Sequence, residues 1–158
     1  MRLGNIRRCA VKSCTIADVL RDRGAFDEAL RILEEEVLPV LKEIGDVRTR
    51  ARAWGTLAEV LRCRGELDEA IRIRIEEELP VYVELDAACL LVRCRMGLAS
   101  AYLQRGRPGD RKEAADLLRL AGAAAESMRI PEAETIRAVQ QGAGLESAPR
   151  SSNRPRSG

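Results

Sequence analysis

No histidine occurs among the 158 residues, which removes the usual general base and the commonest metal ligand together. Aromatic residues make up 3% of the chain, so a core has to be built from Leu, Ile, Val and Ala, and rings for stacking bases are scarce. Lysine is confined to Lys12, Lys42 and Lys112, which leaves arginine as nearly all of the positive charge. The net charge of +2 is too small to imply a polyanionic partner by itself. No window approaches the roughly 20 apolar residues of a membrane span, and the start of the chain has no apolar run of signal-peptide length. There is also no glycine-rich phosphate loop and no nucleophile placed beside a base. An enzyme and a membrane protein are therefore not expected, no cofactor or metal is required, and the expected location is the cytoplasm. The five cysteines, Cys9, Cys14, Cys63, Cys89 and Cys94, are odd in number and scattered, unlike a disulfide framework. A spacing of five within Cys9/Cys14 and Cys89/Cys94 turns the side chains about 140° apart on a helix, so they read as small packing residues rather than metal pairs.

What is present is a repeat. The length suits one domain, and 46% hydrophobic with 33% charged residues is enough to bury a core. A shift of 41 residues lays Ile16-Ala17-Asp18-Val19-Leu20-Arg21 on Leu57-Ala58-Glu59-Val60-Leu61-Arg62. It also lays Gly24 on Gly65, Asp27-Glu28-Ala29 on Asp68-Glu69-Ala70, and Leu38-Pro39-Val40 on Leu79-Pro80-Val81. Roughly half of the aligned positions are identical, far beyond what similar composition produces. A third copy places Leu98-Ala99 on Leu57-Ala58 and Gly106 on Gly65, with three extra residues around Pro108-Gly109-Asp110 before Glu113-Ala114 falls on Glu69-Ala70.

Every periodic segment has helical spacing, so the expected fold is all-α, with seven helices and no sheet. The first helix, from about Asn5 to Arg23, carries a stripe of Ile6, Ala10, Ser13, Ile16, Ala17 and Leu20, and Gly24 closes it in a left-handed turn. Phe26, Leu30, Leu33, Val37, Leu41 and Ile44 form the second stripe. Leu67, Ile71, Ile75, Leu79, Tyr82 and Leu85 form its counterpart, and both cross a proline, Pro39 or Pro80, where a bend is expected. Asp46 is a candidate N-cap, and Asp110 with Glu113 has the spacing of a capping box. Ala17, Ala29, Ala58, Ala70, Ala99 and Ala114 fall where paired helices would approach most closely. A last helix starts at Pro131, shows only Ala133, Ile136 and Val139 as an apolar face, ends at Gly142 and suits a terminal cap. The remainder has no period and is expected to be a disordered tail over 143–158.

Leu57-Ala58 followed by Leu61, the turn glycine Gly65, Asp68-Glu69-Ala70 opening the second helix, and Trp54 together resemble the tetratricopeptide repeat, in three copies that share phase. The period of about 41 is longer than the usual 34 and is similar to the long-helix variants of kinesin light chains and bacterial signalling regulators. The resemblance implies a repeat domain over 1–142, with repeats at about 3–43, 44–84 and 85–128 and a cap helix at 131–141. It further implies an α-solenoid wound as a right-handed superhelix, whose concave groove is lined by the first helix of each pair.

By that resemblance the groove displays Val11, Cys14, Asp18, Arg21 and Asp22, then Arg52, Gly55, Glu59, Arg62 and Cys63, then Arg93, Met96, Ser100, Leu103 and Gln104. Asp18, Arg21, Arg52, Glu59, Arg62, Arg93, Met96 and Ser100 are the candidate partner-binding set. The chaperone-binding members of the family clamp a terminal carboxylate with Lys and Asn. Cys14, Asp18, Gly55 and Glu59 stand at the corresponding places here, which departs from that pattern.

The expected function is a protein-interaction scaffold with a protein or peptide partner, either whole or as a fragment of a larger regulator. Self-association through an uncapped N-terminal repeat is a further expectation, because Leu3-Gly4-Asn5-Ile6-Arg7 aligns with Ile44-Gly45-Asp46-Val47-Arg48 and no capping helix precedes it. The alternative is a helical repeat that binds nucleic acid through rows of arginine such as Arg52, Arg62 and Arg93. Asp18, Glu59, the runs Glu34-Glu35-Glu36 and Glu76-Glu77-Glu78, and the shortage of aromatics oppose it.

Overall fold

The computed structural model describes residues 2–145, so the expected tail lies outside the described residues from position 146 onward. Among the described residues all regular structure is helical and no strand occurs. Seven helices follow one another: α1 (Leu3–Asp22), α2 (residues 26–43), α3 (Val47–Arg64), α4 (residues 67–84), α5 (Ala88–Arg105), α6 (Asp110–Met128) and α7 (Glu132–Ala143). None of the described helices is long and apolar enough to cross a membrane.

The turns form where the glycines allow them. Gly65 (φ 87°) takes the left-handed conformation, its N–H bonded to Arg62 O, and the N–H of Glu66 reaches back to Leu61 O at 2.9 Å. That geometry satisfies the last carbonyls of α3 and is open to glycine at little steric cost. Asp46 caps α3 as expected, its carboxylate accepting from Thr49 N at 3.0 Å and Thr49 Oγ1 at 2.7 Å. The capping box at Asp110 is not formed. Asp110 turns back instead to accept from Arg105 and from the N–H of Arg107, because a buried carboxylate gains more from a guanidinium than from a helix end already served by Gly109 O. The last helix runs one residue beyond Gly142, and Gly144 (φ 64°) makes the left-handed cap.

Both prolines are accommodated without breaking their helices. Pro39 and Pro80 have no N–H to give to the carbonyl four residues back. The turn before each is a π turn, Ile32–Val37 in α2 and Arg74–Glu78 in α4, in which the N–H of Leu38 bonds Leu33 O and that of Leu79 bonds Arg74 O, five residues back. A π turn holds one extra residue, so the buried face beyond it returns after four residues rather than three or four alternately.

In α2 that face is Leu30, Leu33, Val37 and Leu41, as expected. In α4 the same register buries Ile71, Arg74, Glu78 and Tyr82. The expected stripe residues Ile75 and Leu85 are exposed, the price of reading α4 as an uninterrupted 3.6-residue helix. Ile16, expected on the inner face of α1, is also exposed.

The six alanines placed at helix crossings are all fully buried. Ala17, Ala29, Ala58 and Ala70 belong to a core shared by α1, α2, α3 and the start of α4, whereas Ala99 and Ala114 belong to a second core of α5, α6 and α7 that also holds Ala133 and Ile136. Of the cysteines, Cys94 is buried and Cys14 half-buried, while Cys9, Cys63 and Cys89 are exposed and do not pack as the sequence implied.

Candidate functional site

Between the two cores the structure places charge where the first pair of helices has hydrocarbon. Arg74 and Glu78 leave α4 one turn apart and run inward between α3 and α5, with side-chain exposures of only 7% each. Arg74 Nη1 donates to Glu78 Oε2 at 2.8 Å and Nη2 donates to Glu59 Oε2 of α3 at 2.9 Å. Glu59 Oε1 accepts from Arg62 Nη2 at 2.6 Å, and Arg62 Nη1 continues to Gln104 Oε1 of α5 at 2.9 Å. A single polar chain thus joins three helices. Each buried charge has a partner, which is the condition for burying it at tolerable cost.

Two glycines open the passage. Gly55 of α3 is backed directly by the Glu78 carboxylate, and a methyl there would overlap it. A methyl on Gly97 of α5 would stand 2.5 Å from Arg74 Cζ. Glycine inside a helix is less favourable than alanine by about 1 kcal/mol, so two of them facing one ion pair mark a constraint from packing.

The inward ends of these side chains form the floor of a pocket of about 470 Å³. Asp18 and Arg21 of α1, Arg52, Thr56 and Glu59 of α3, and Leu90 and Arg93 of α5 complete its walls, with Tyr82 of α4 behind. Five of the eight candidate residues, Asp18, Arg21, Arg52, Glu59 and Arg93, therefore meet around one cavity. The other three do not line it. Arg62 is engaged by Glu59 and Gln104, Met96 packs against the core of α5 to α7, and Ser100 donates its hydroxyl to Met96 O in its own helix.

Of the wider set, Gly55 lines the pocket, Leu103 packs into the C-terminal core, and Val11 lines a different surface with Arg7, Arg8 and Lys12. Arg74, Glu78, Tyr82, Thr56, Leu90 and Gly97 are pocket residues that the sequence does not assign to the groove, although Tyr82 falls in the expected stripe of α4 and Glu78 in its acidic run. The 41-residue shift was the available signal, since it places Arg74 and Glu78 on the buried positions of Leu33 and Val37.

Burial raises the Glu78 carboxyl above the ordinary range despite the neighbouring Arg74. Burial acts on Glu59 in the same sense, but Arg62 and Arg74 outweigh it and hold that carboxyl low. The Cys14 thiol, half-buried beside Asp18, is pushed up to about 11, chiefly by burial, so it stands as a neutral thiol at neutral pH. Arg52 faces the pocket with no ion pair among the described residues, and the Nε of Arg74 is buried without a hydrogen-bond partner. The arrangement can offer guanidinium donors, fixed from behind by carboxylates, to a group entering the pocket. Comparison with known proteins finds no family model and no curated protein that matches the chain.

Proposed function

We propose that the chain is a tetratricopeptide-like scaffold: three helix pairs of an α-solenoid that wind as a right-handed superhelix and present a groove to a protein or peptide partner. The observation that carries this reading is the threading of Arg74 and Glu78 from α4, between α3 and α5, to the floor of the pocket. A helix pair that only had to stack would place hydrocarbon there, as Leu33 and Val37 do in the preceding pair. Polar groups held in place on a recessed surface are what a binding site needs, because their ordering cost is met before the partner arrives. Arg52 and Arg93 stand one repeat apart on the walls, and arginine is enriched at binding hot spots because its fork pairs with acceptors while its stem packs.

The test is partner capture with Arg52→Glu/Arg93→Gln, both residues being exposed; Arg93 is neutralised rather than reversed because its Nε bonds Glu132 Oε1 at 3.1 Å. Arg62 is left intact because reversing it would put a second carboxylate against Glu59. Lost capture with an unchanged melting curve supports the groove. If Arg72→Glu/Glu76→Arg on the outer face of α4 abolishes capture and the groove variant does not, the partner uses the other side and this reading fails.

A further inference from the structure

The three pairs differ in what covers their first helix. In α3, Leu57, Val60 and Leu61 are buried in one core with Ala29, Leu30, Leu33 and Val37 of the preceding α2. In α5, Leu98 and Ala101 are buried with Ile71 of the preceding α4. The residues of α1 in the same register are Ile16, Val19 and Leu20. Ile16 is 51% and Val19 45% exposed, against 1% for Leu57 and 0% for Val60. These side chains line a cavity of about 490 Å³ with Lys12, Thr15, Leu20 and Arg23, and Lys12 joins it to a second cavity of about 300 Å³ formed with Arg7, Arg8 and Val11. A surface that buries a helix in two pairs is therefore repeated in the first and lies open.

Its flanks are basic. Arg8, Lys12 and Arg23 are exposed and make no ion pair among the described residues, Arg7 pairs with Asp46, and no carboxylate lines either cavity. A second copy of the same face would bring like charges together. The chain's own residues 146–158 carry three arginines and one glutamate, so their charge does not complement it either. By contrast, the helix that covers this register on α3 is acidic: residues 26–43 hold Asp27, Glu28, Glu34, Glu35, Glu36 and Glu43 against Arg31 and Lys42, six minus two, a net charge of −4.

We propose that this face of α1 docks an acidic amphipathic α-helix of a partner protein, seated across Ile16, Val19 and Leu20 as α2 is seated across Leu57, Val60 and Leu61. The apolar strip sets the register of the helix, and Arg8, Lys12 and Arg23 select its charge. This surface is separate from the Arg52 and Arg93 pocket and does not depend on it.

The probe is a fluorescently labelled, end-blocked peptide with the sequence of residues 26–43, titrated with the full chain by anisotropy. Saturable binding is expected, together with a loss of about tenfold or more in Val19→Glu, which sets a charge in the strip. A comparable loss is expected in Lys12→Glu/Arg23→Glu, and weakening as salt rises from about 0.05 to 0.5 M. All three altered residues are exposed, so the variants should melt with the wild type; the charge pair serves should Val19→Glu prove unfolded. Undiminished affinity in Lys12→Glu/Arg23→Glu, or no binding of the peptide by the wild type, overturns the proposal. So does a sedimentation result in which the wild type is a dimer and Val19→Glu a monomer, since a second copy would then be the occupant.

Discussion

The second helices of the first and second pairs have the same backbone and opposite interiors. Each has a π turn directly before its proline, and each turns three successive positions of one face inward: Leu33, Val37 and Leu41 in α2, Arg74, Glu78 and Tyr82 in α4. What differs lies across from them. Cys14 and Thr56 stand in the first pair's register where Gly55 and Gly97 stand in the second, so space withheld from α2 is opened to the longer side chains of α4. The π turn is therefore an accommodation to proline common to both pairs, and the charge is an addition specific to one. A structural explanation covers the turn. Only the second pair requires glycines opposite and a partner from α3 to hold what it buries, and the pocket opens over that pair.

Removing one charge alone should separate the two interiors most. Arg74→Ala leaves Glu78 buried without its guanidinium and should cost about 3 to 5 kcal/mol in chemical denaturation, whereas Leu33→Ala at the matching place loses packing only and should cost about 2 to 5 kcal/mol. The two are separated by rescue: adding Glu78→Gln should recover part of the loss in α4, and an equal loss with and without it would show that the pair is not electrostatically coupled. Next in size are Gly55→Ala and Gly97→Ala. Each drives a methyl into a paired, buried side chain and should cost about 1 to 3 kcal/mol, though alanine is the better helix former. Unchanged stability in both would mean that Arg74 and Glu78 do not pass between α3 and α5.

Transplanting the first interior into the second sharpens the same point. Arg74→Leu/Glu78→Val removes both buried charges together and leaves Glu59 its bond to Arg62, so the double variant should lie within about 1.5 kcal/mol of the wild type, since hydrophobic replacement of buried paired charges is often neutral or better. Its melting curve should be kept while capture through the pocket is lost. Retained capture would show that the buried pair does not shape the binding surface.

The fold was legible because local and repeated signals agree. Gly24, Gly65 and Gly106 mark turns that only a left-handed residue makes cheaply, and the six alanines at crossings follow from the phase that the three copies share. The buried charges were not legible from periodicity. A reader who assigns faces by hydrophobicity puts Ile75 inward and Arg74 outward, since an isolated arginine prefers water. The internal repeat carries better information, because the backbone of α2 fixes which α4 positions face inward whatever their chemistry. Pro39 and Pro80 announced an irregularity, but a π turn and a simple bend make the same sequence signal, and they differ by the one residue that decides the inner face. The repeat shift sets Ile16, Val19 and Leu20 of α1 in the register of Leu57, Val60 and Leu61, while the basic flank of that face emerges only when Lys12 and Arg23 are seen on one surface.

Titration offers a smaller effect of known sign. Because burial holds the Glu78 carboxyl above its ordinary value of 4.5, the folded state binds that proton more tightly than the unfolded chain does, and stability is lost as pH rises from 4.5 through the raised value. Glu59 acts in the opposite sense: its lowered value contributes stability that is present above 4.5 and lost as pH falls below it. Glu78→Gln deletes only the first effect. The melting temperature of the variant relative to the wild type should therefore increase between pH 4.5 and neutrality. A relative melting temperature that falls over that range would contradict the burial of Glu78.

The smallest change is expected from the outer, exposed ion pairs of the same helix, where Arg72 bonds both Glu69 and Glu76. Arg72 Nη1 lies 2.7 Å from Glu76 Oε2 at the same spacing of four, nearly the length of the Arg74 contact with Glu78, but the side chains are 46% and 56% exposed rather than 7%. Water screens the attraction and offers each partner a replacement for the other, so the contact distance says little about its worth. Arg72→Ala should shift the melting temperature by no more than about 1 °C, and raising the salt concentration should leave that difference unchanged or smaller. Two pairs alike in residue type, spacing and distance would then differ severalfold in consequence, with burial as the variable that separates them. An Arg72→Ala loss approaching that of Arg74→Ala would show instead that α4 depends on its outer ion pairs, and that the inner pair has no special standing in the helix.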